Sequence, residues 1–555
     1  MPRSEPPAPL DGGPYDFIVV GAGSAGSVLA ARLSEDGRHR VLLLEAGPAD
    51  RSPWIHLPMG YSRLFSDRRY NWMYESEPEP GLNGRVLYQP RGKVLGGSSS
   101  INGMMYVRGN ARDFDDWAVA GCTGWSFEEV LPYFRKAEDQ SRGPDRWHGA
   151  GGPLKVSDQS FDRELPNALC EAARQAGLAV NLDFNGAEQD GFGYYQMNIH
   201  RGRRWSAARG YLAPARGRPN LRILTGAEVE GILVEGATAR GVIVRHRGAR
   251  LLAAGREVIV SAGTIASPQL LMLSGIGPAQ HLRETGIACL HDLPEVGANL
   301  QDHTCIQLMF RCTRPITVND LANSWVRRIG AGLEYALLRK GWLAETGIYV
   351  GGFARSDPGQ DRPDVQMAMA AWSVAERTAK GARPHSFSGF SFSPEHVNPD
   401  ARGSIRLRSP DPAAAPRISF NFFQTEYDIR AMTFGIRLVR RIAGQPAMQP
   451  YVAGELQPGA DVRSDAEMLD FIRRSAGSDI HGVGSCRMGA DAGAVVDPRL
   501  RVRGLAGLRV ADASVMPRIV RGNTHAATVM IAEKAADMIL EDARAGRAAV
   551  PGPAR

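Results

Sequence analysis

An α/β fold is predicted by three features spread along the chain. A buried strand, Asp16 to Val20, runs into Gly21-Ala22-Gly23-Ser24-Ala25-Gly26, then into a helix and a second buried strand, Val41 to Leu44. A strand–helix–strand unit of this size opens a parallel sheet. A third buried strand, Glu257 to Val260, returns far downstream and leads to Gly263. A last strand, Leu508 to Ala511, precedes a helix from Thr528 to Leu540. Between these, residues 311–475 have a different texture, with mixed strands and amphipathic helices such as Tyr427 to Ile442, and predict a second architectural part.

Taken in order, residues 1–14 are rich in proline and glycine and are expected to fray. Ser27 to Leu33 reads as a helix with Ala25, Leu29 and Leu33 on one face. Pro48 to Gly124 is loop-rich, and residues 126–140 and 163–176 read as helices. Leu221 to Leu224 with Gly231 to Arg245 suggests a small antiparallel sheet. Gly330-Ala331-Gly332 follows an Arg-rich helical stretch rather than a strand and is read as structural. The tail after Ala543 is of low complexity and expected to be disordered.

Composition excludes several classes. With 43% hydrophobic and 23% charged residues the 555-residue chain is an ordinary globular one, not a disordered one. The charge is 66 − 59 = +7, and no run of five or six like charges occurs. The basic patches Arg201-Gly202-Arg203-Arg204 and Arg245 to Arg250 are short and read as solvated faces, so no nucleic-acid partner is expected. The basic balance still permits loose contact with an anionic membrane surface. Six cysteines are scattered without a CxxC pair, so neither a metal site nor a redox dithiol is expected, and a reduced, cytoplasmic protein fits. The first ten residues lack an apolar core and no run of 18 apolar residues occurs, so no signal peptide and no membrane span is expected.

The glycines at 21, 23 and 26 sit between a strand and a helix. Gly21 makes the tight turn, Gly23 lets the backbone approach a pyrophosphate, and Gly26 permits close helix packing, while the N–H groups of the first turn, at Ser24 and Ala25, face the phosphates. Glu45 lies 45 − 26 = 19 residues further on at a strand end, where a carboxylate can take ribose hydroxyls. This combination predicts a dinucleotide and leaves NAD and FAD both open; a glycine-rich turn without ligand is the bland alternative.

The loop Arg91 to Gly103 (RGKVLGGSSSING) is dense in glycine and small hydroxyls, and the flanking Val94, Leu95, Ile101 and Met104-Met105-Tyr106 argue that it is buried. This stretch resembles the first signature of the glucose–methanol–choline (GMC) oxidoreductases, which bind FAD. Gly263 to Gly277 resembles the second signature. Asn299 to His303, His481 to Gly489, Asp512 to Pro517 and Asn523-Thr524-His525 resemble further blocks of that family, in family order. The overall likeness is to bacterial choline-dehydrogenase-like and aliphatic alcohol dehydrogenase members.

The resemblance implies a Rossmann-like FAD-binding domain of residues 1–310, a substrate-binding domain of 311–475 built on an antiparallel sheet, and a return of 476–555 to the FAD domain. It implies that Gly21, Gly23, Ser24, Ala25, Gly26 and Glu45 hold the ADP half. Val94, Gly96, Gly97, Ser98, Asn102, Gly103, Met104 and Met105 would line the flavin and pyrophosphate. Val229 would offer its backbone to adenine, Asp512 and Ala513 would face ribityl and pyrophosphate, and Asn523 and Thr524 the pyrimidine end. Ile101 stands where covalently flavinylated members carry histidine, so a non-covalent FAD is expected.

Two of the twelve histidines, His481 and His525, stand in glycine-containing turns, 44 residues apart. The resemblance brings them together over the flavin, with His481 as base and His525 hydrogen-bonding the same alcohol oxygen. Ser485 replaces a common threonine, with little effect expected. Tyr349 aligns with the glutamate that balances choline's ammonium in choline-oxidising members. Met367, Met369, Trp372, Phe387, Phe390 and Phe392 suggest an apolar pocket, so a neutral primary alcohol is favoured over choline. The expected electron acceptor is a quinone or other non-oxygen acceptor, with peripheral contact at the inner membrane. An oxygen-dependent alcohol oxidase and a choline dehydrogenase are the alternatives, and a non-catalytic flavin-binding protein a remote one. A Ser-His-Asp hydrolase is disfavoured by the lack of a GxSxG elbow.

Overall fold

The computed structural model describes residues 7–159, 162–378 and 381–548. Its first sheet is parallel where the apolar runs are continuous. Leu221–Thr225, Val41–Glu45, Tyr15–Val20, the end of Ala249–Val260 and Leu508–Val510 lie side by side in that order, all parallel. Ile18, Val19, Leu42, Leu43, Val258 and Ile259 are fully buried, as strands covered on both faces must be. Ala249–Val260 is long because its first half leaves the parallel sheet and pairs antiparallel with Thr238–His246, which pairs in turn with Ala227–Glu235. Helix Ser24–Leu33 covers one face and packs against the C-terminal helix Thr524–Ala548.

Several sequence expectations are corrected here. Leu221–Thr225 belongs to the parallel sheet, on the outer side of Val41–Glu45, rather than to the antiparallel hairpins. The chain start is tied down at Ala8–Pro9, which pairs with Leu251 and Leu252. The last helix runs past Ala543 to Ala548; residues 549–555 lie outside the described ones.

The second sheet is antiparallel at every pairing, in the order Val452–Gln457, Leu308–Cys312, Gly389–His396, Val365–Ala370, Ile348–Ala354 and Gly191–Tyr194. Its outermost strand comes from well before residue 311. Thr304–Cys305 bridges Gly389–His396 to Gly477–Ser478, just ahead of His481. Residues directly opposite share a face, so Phe353, Gln366 and Glu395 look one way. Met367, Met369 and Phe392 alternate to the other face and, with Phe390, join the main core. Helix Glu426–Ala443 covers that core face: a methyl at Gly435 would meet Pro394 and Val365. The expected pocket of methionines and phenylalanines is, at these four positions, ordinary core. No described helix is long and apolar enough to cross a membrane.

Candidate active site

The glycine cradle is built from backbone contacts too close for any side chain. Gly21 has φ +95°, and a methyl there would lie 2.5 Å from the Ser261 carbonyl; one at Gly26 would lie 1.8 Å from the Gly21 carbonyl. At Gly23 a methyl would meet no protein atom within 4 Å. The helix therefore starts against the strand with its first turn open at the position where a phosphate would come. The Glu45 carboxylate accepts from the N–H groups of Ala22 (2.9 Å) and Gly47 (2.8 Å). Burial pushes this carboxyl up to about 7, against the pull of those two donors.

The second glycine loop closes over the first. Gly96 donates to the Ala22 carbonyl at 2.7 Å, and a methyl at Gly97 would lie 2.6 Å from Gly23 Cα. Ser98 Oγ accepts from Gly92 N–H, while Val94 and Ile101 are buried with Ile55 and Leu64. Asn102 accepts from Met104 N–H and from Arg204 Nη1, the latter at 2.7 Å. Arg204 is buried, its Nη2 has no protein partner, and burial lowers it to about 9. A methyl at Gly103 would touch Ile348, so the loop reaches the second sheet. Val229 lies at a bulge in the pairing of its strand.

The C-terminal blocks lock onto this assembly. Asp512 accepts from Gly263 N–H and Ser267 Oγ at the start of helix Gly263–Leu273, and from Ser514, behind Ala513. Thr264 Oγ1 donates to the Gly482 carbonyl and Ser485 Oγ to the Thr264 carbonyl.

His481 lies at the junction. Its Nδ1 is 3.0 Å from Asp479 Oδ2 and 3.1 Å from His303 Nδ1, and its Nε2 is 3.0 Å from Asn523 Nδ2. Its backbone N–H donates to Asp302 Oδ1 at 2.7 Å. With Asn523 donating to Nε2, the proton of the neutral ring sits on Nδ1, facing Asp479. Burial opposes charge on this ring, but Asp479 and Asp302 outweigh it and hold His481 above the ordinary histidine range. Burial, and His481 beside it, keep His303 well below that range. Burial raises Asp302 to about 6. The donor atoms of His303, Asp479 and His481 all lie within 4.8 Å of one another.

Asn523 joins His481 to the flavin loop and the second sheet. Gln366 Nε2 donates to Asn523 Oδ1 (3.4 Å) and to Met105 Sδ (3.5 Å), and Gln366 Oε1 is buried without a protein partner. Glu395, opposite Gln366, is pushed well above the carboxylate range by burial and then by Asp479. The structure brings Asn523 to His481 Nε2. His525 goes elsewhere: its Nδ1 is 2.9 Å from Ser24 Oγ, at the first turn of the cradle, and burial with nearby Arg204 lowers it to about 4. Thr524 opens the last helix. Tyr349 also departs from its expected place. It is buried in the main core and its hydroxyl donates to Glu345, which is paired with Arg163.

Sequence reasoning gave no role to Asp479, Gln366 or Glu395, nor to Asp302 and His303, which it met only as part of the Asn299 to His303 block. Asp479 carried a signal, two residues before His481; the others meet the ring only through the fold.

The chain belongs to the GMC oxidoreductase family: its N-terminal family model matches residues 15–305 and its C-terminal one residues 399–532. It is 45% identical over 531 residues to the oxygen-dependent choline dehydrogenase of Brucella ovis, covering 95% of each chain. It is 46% identical to the mitochondrial choline dehydrogenase of Homo sapiens, covering 95% of this chain and 89% of that one. Among solved structures it superposes on pyridoxine 4-oxidase from Mesorbium loti with TM-score 0.87 at 34% identity, over 95% and 99% of the two chains. A formate oxidase variant from Aspergillus oryzae, studied for FAD modification, gives TM-score 0.91 at 28% identity, over 97% and 100%. The cradle with its open first turn, the glycine loop laid across it and the unpartnered polar atoms of Arg204 and Gln366 fit the FAD that the family and these neighbours support.

Proposed function

We propose that the protein oxidises a primary alcohol to the aldehyde with non-covalently bound FAD, His481 acting as base. One observation carries this reading: His481 presents Nε2 beside Asn523, with Nδ1 backed by the Asp479 carboxylate. When bound, the flavin supplies the two-electron acceptor. The residues do the rest. His481 takes the hydroxyl proton at Nε2, and Asp479 stabilises the imidazolium that results. Asn523 is placed to hydrogen-bond the same oxygen, and His525 is the second candidate for that part, from the same turn. Gln366, bonded to Asn523 Oδ1, and Glu395, opposite it in the sheet, are the polar groups we assign to the alcohol's substituent.

A neutral alcohol is favoured over choline because Tyr349, at the aligned position, is turned into the core and engaged with Glu345. The named choline dehydrogenases support the competing reading, and one substrate panel separates the two. Under anaerobic mixing, neutral primary alcohols should reduce the flavin with higher kcat/KM than choline; choline ranking first would overturn this assignment. The acceptor is proposed to be a quinone or other non-oxygen acceptor, so a dye should restore turnover that air alone does not support. Peroxide formed at the rate of alcohol loss would make the protein an oxidase. Acid denaturation should release all the flavin, because Ile101 offers no atom for a covalent bond.

A further inference from the structure

Helix Trp325–Leu338 carries its apolar residues on the wrong side for a helix of a soluble protein. Trp325, Ile329, Leu333 and Leu337 recur every fourth residue and so form one row. They are 68%, 54%, 58% and 79% exposed, with Val326 beside them at 58%. The helix residue that is buried is Ala331. Isolated exposed apolar side chains are common, but a continuous row of four with a fifth beside it marks a contact surface.

Cations frame this row. Arg327 and Arg328 flank it, and Arg339 and Lys340 follow its C-terminal end, all exposed. The turn carrying Arg201 and Arg203 packs at the same end, since a methyl at Gly202 would lie 2.2 Å from the Arg339 carbonyl. The one acidic residue of the helix, Glu334, is folded against Gly341. An outward Trp/Ile/Leu face bordered by arginines is the pattern of a helix that lies in a bilayer interface, and the positive frame selects anionic headgroups. Beyond the helix the chain runs through the turn Trp342–Ala344 to Ile348, whose side chain lies 3.4 Å from where a methyl at Gly103 of the flavin loop would stand.

We propose that helix Trp325–Leu338 docks the protein on an anionic lipid surface, its apolar row entering the headgroup boundary. The test is co-sedimentation of the flavin-loaded protein with phosphatidylcholine vesicles containing or lacking phosphatidylglycerol. Binding is expected with the anionic vesicles, weaker with phosphatidylcholine alone, and reduced by high salt. L333E/L337E should weaken it about tenfold or more, and R327E/R328E by a similar factor. Val119→Glu, which alters an apolar residue 89% exposed elsewhere, should bind as wild type. Matching flavin spectra and melting temperatures confirm that the variants fold. Tryptophan emission should shift to the blue on binding, and the shift should be lost in Trp325→Phe and in L333E/L337E. Vesicle binding that ignores these substitutions, or none by the wild type, overturns the proposal. So does a solution dimer that L333E/L337E converts to monomers, since a second copy would then cover the face. No arm requires turnover, so the result is independent of the alcohol-oxidation reading.

Discussion

Two histidines, the buried His148 and the partly exposed His481, are each set between acidic groups, and their surroundings give them different work. At His148, Nδ1 is 3.1 Å from Glu138 and Nε2 is 2.8 Å from Asp183, and Arg108 pairs with Glu138 from the other side. Both nitrogens face carboxylates, so the ring holds both protons and has no lone pair to offer. At His481 a carboxylate backs Nδ1 alone; Nε2 meets an amide that can leave it for a substrate. A saturated histidine is a structural cation, and one carboxylate fewer makes a base. The largest expected effect breaks the second arrangement. His481→Ala should keep its flavin and lose about 10²–10⁴-fold in anaerobic flavin reduction. The same measurement ranks the second group. His525→Asn should be milder than His525→Ala, and Asn523→Ala should exceed both if Asn523 holds the alcohol oxygen. Normal reduction in His481→Ala would overturn the mechanism.

A smaller effect sharpens the comparison. Asp479→Asn keeps a hydrogen-bonding group at His481 Nδ1 but removes the charge, so flavin reduction should slow about tenfold. Its pH profile should also change: reduction should rise with pH through the His481 titration, and that limb should move to lower pH in the variant, because the main source of the raised pKa is gone. A slower rate with an unmoved limb would mean that Asp479 serves structure only.

How much of this was legible follows from which signals are local. The continuous apolar runs at Asp16 to Val20, Val41 to Leu44 and Glu257 to Val260 announce a parallel sheet because strands covered on both faces need apolar residues throughout. Leu221–Thr225 was misread because its partner, Val41–Glu45, lies far away in sequence, while an antiparallel hairpin follows it directly. The glycine cradle is readable since only glycine tolerates those approaches. Side-chain direction is not readable. Asn523 and His525 lie in one turn, yet one reaches His481 and the other Ser24. Tyr349 follows Ile348, which meets the flavin loop, but a shift in register lies between Ile348 and Gly351, and Tyr349 is turned to the core.

The smallest effect concerns the saturated histidine. Burial opposes its charge, but hydrogen bonds to Asp183 and Glu138 raise His148 to about 9, above its ordinary 6.5. A folded-state pKa above the unfolded one means that the folded protein holds the proton more tightly. The stabilisation is therefore complete below pH about 6.5 and is lost as pH rises through about 9. Allowing for screening of the Asp183 side, which is 25% exposed, about 1 kcal/mol should disappear across that window. His148→Asn keeps a donor and does not titrate, so its unfolding free energy should be lower than wild type at pH 6 and converge on it above pH about 9. Taking the difference between the two proteins cancels Glu45, at about 7, and Asp302, at about 6, which titrate in both. A gap between wild type and variant that stays constant from pH 6 to 9 would show that His148 is held by packing, and that its carboxylates do not distinguish it from His481 in the way argued.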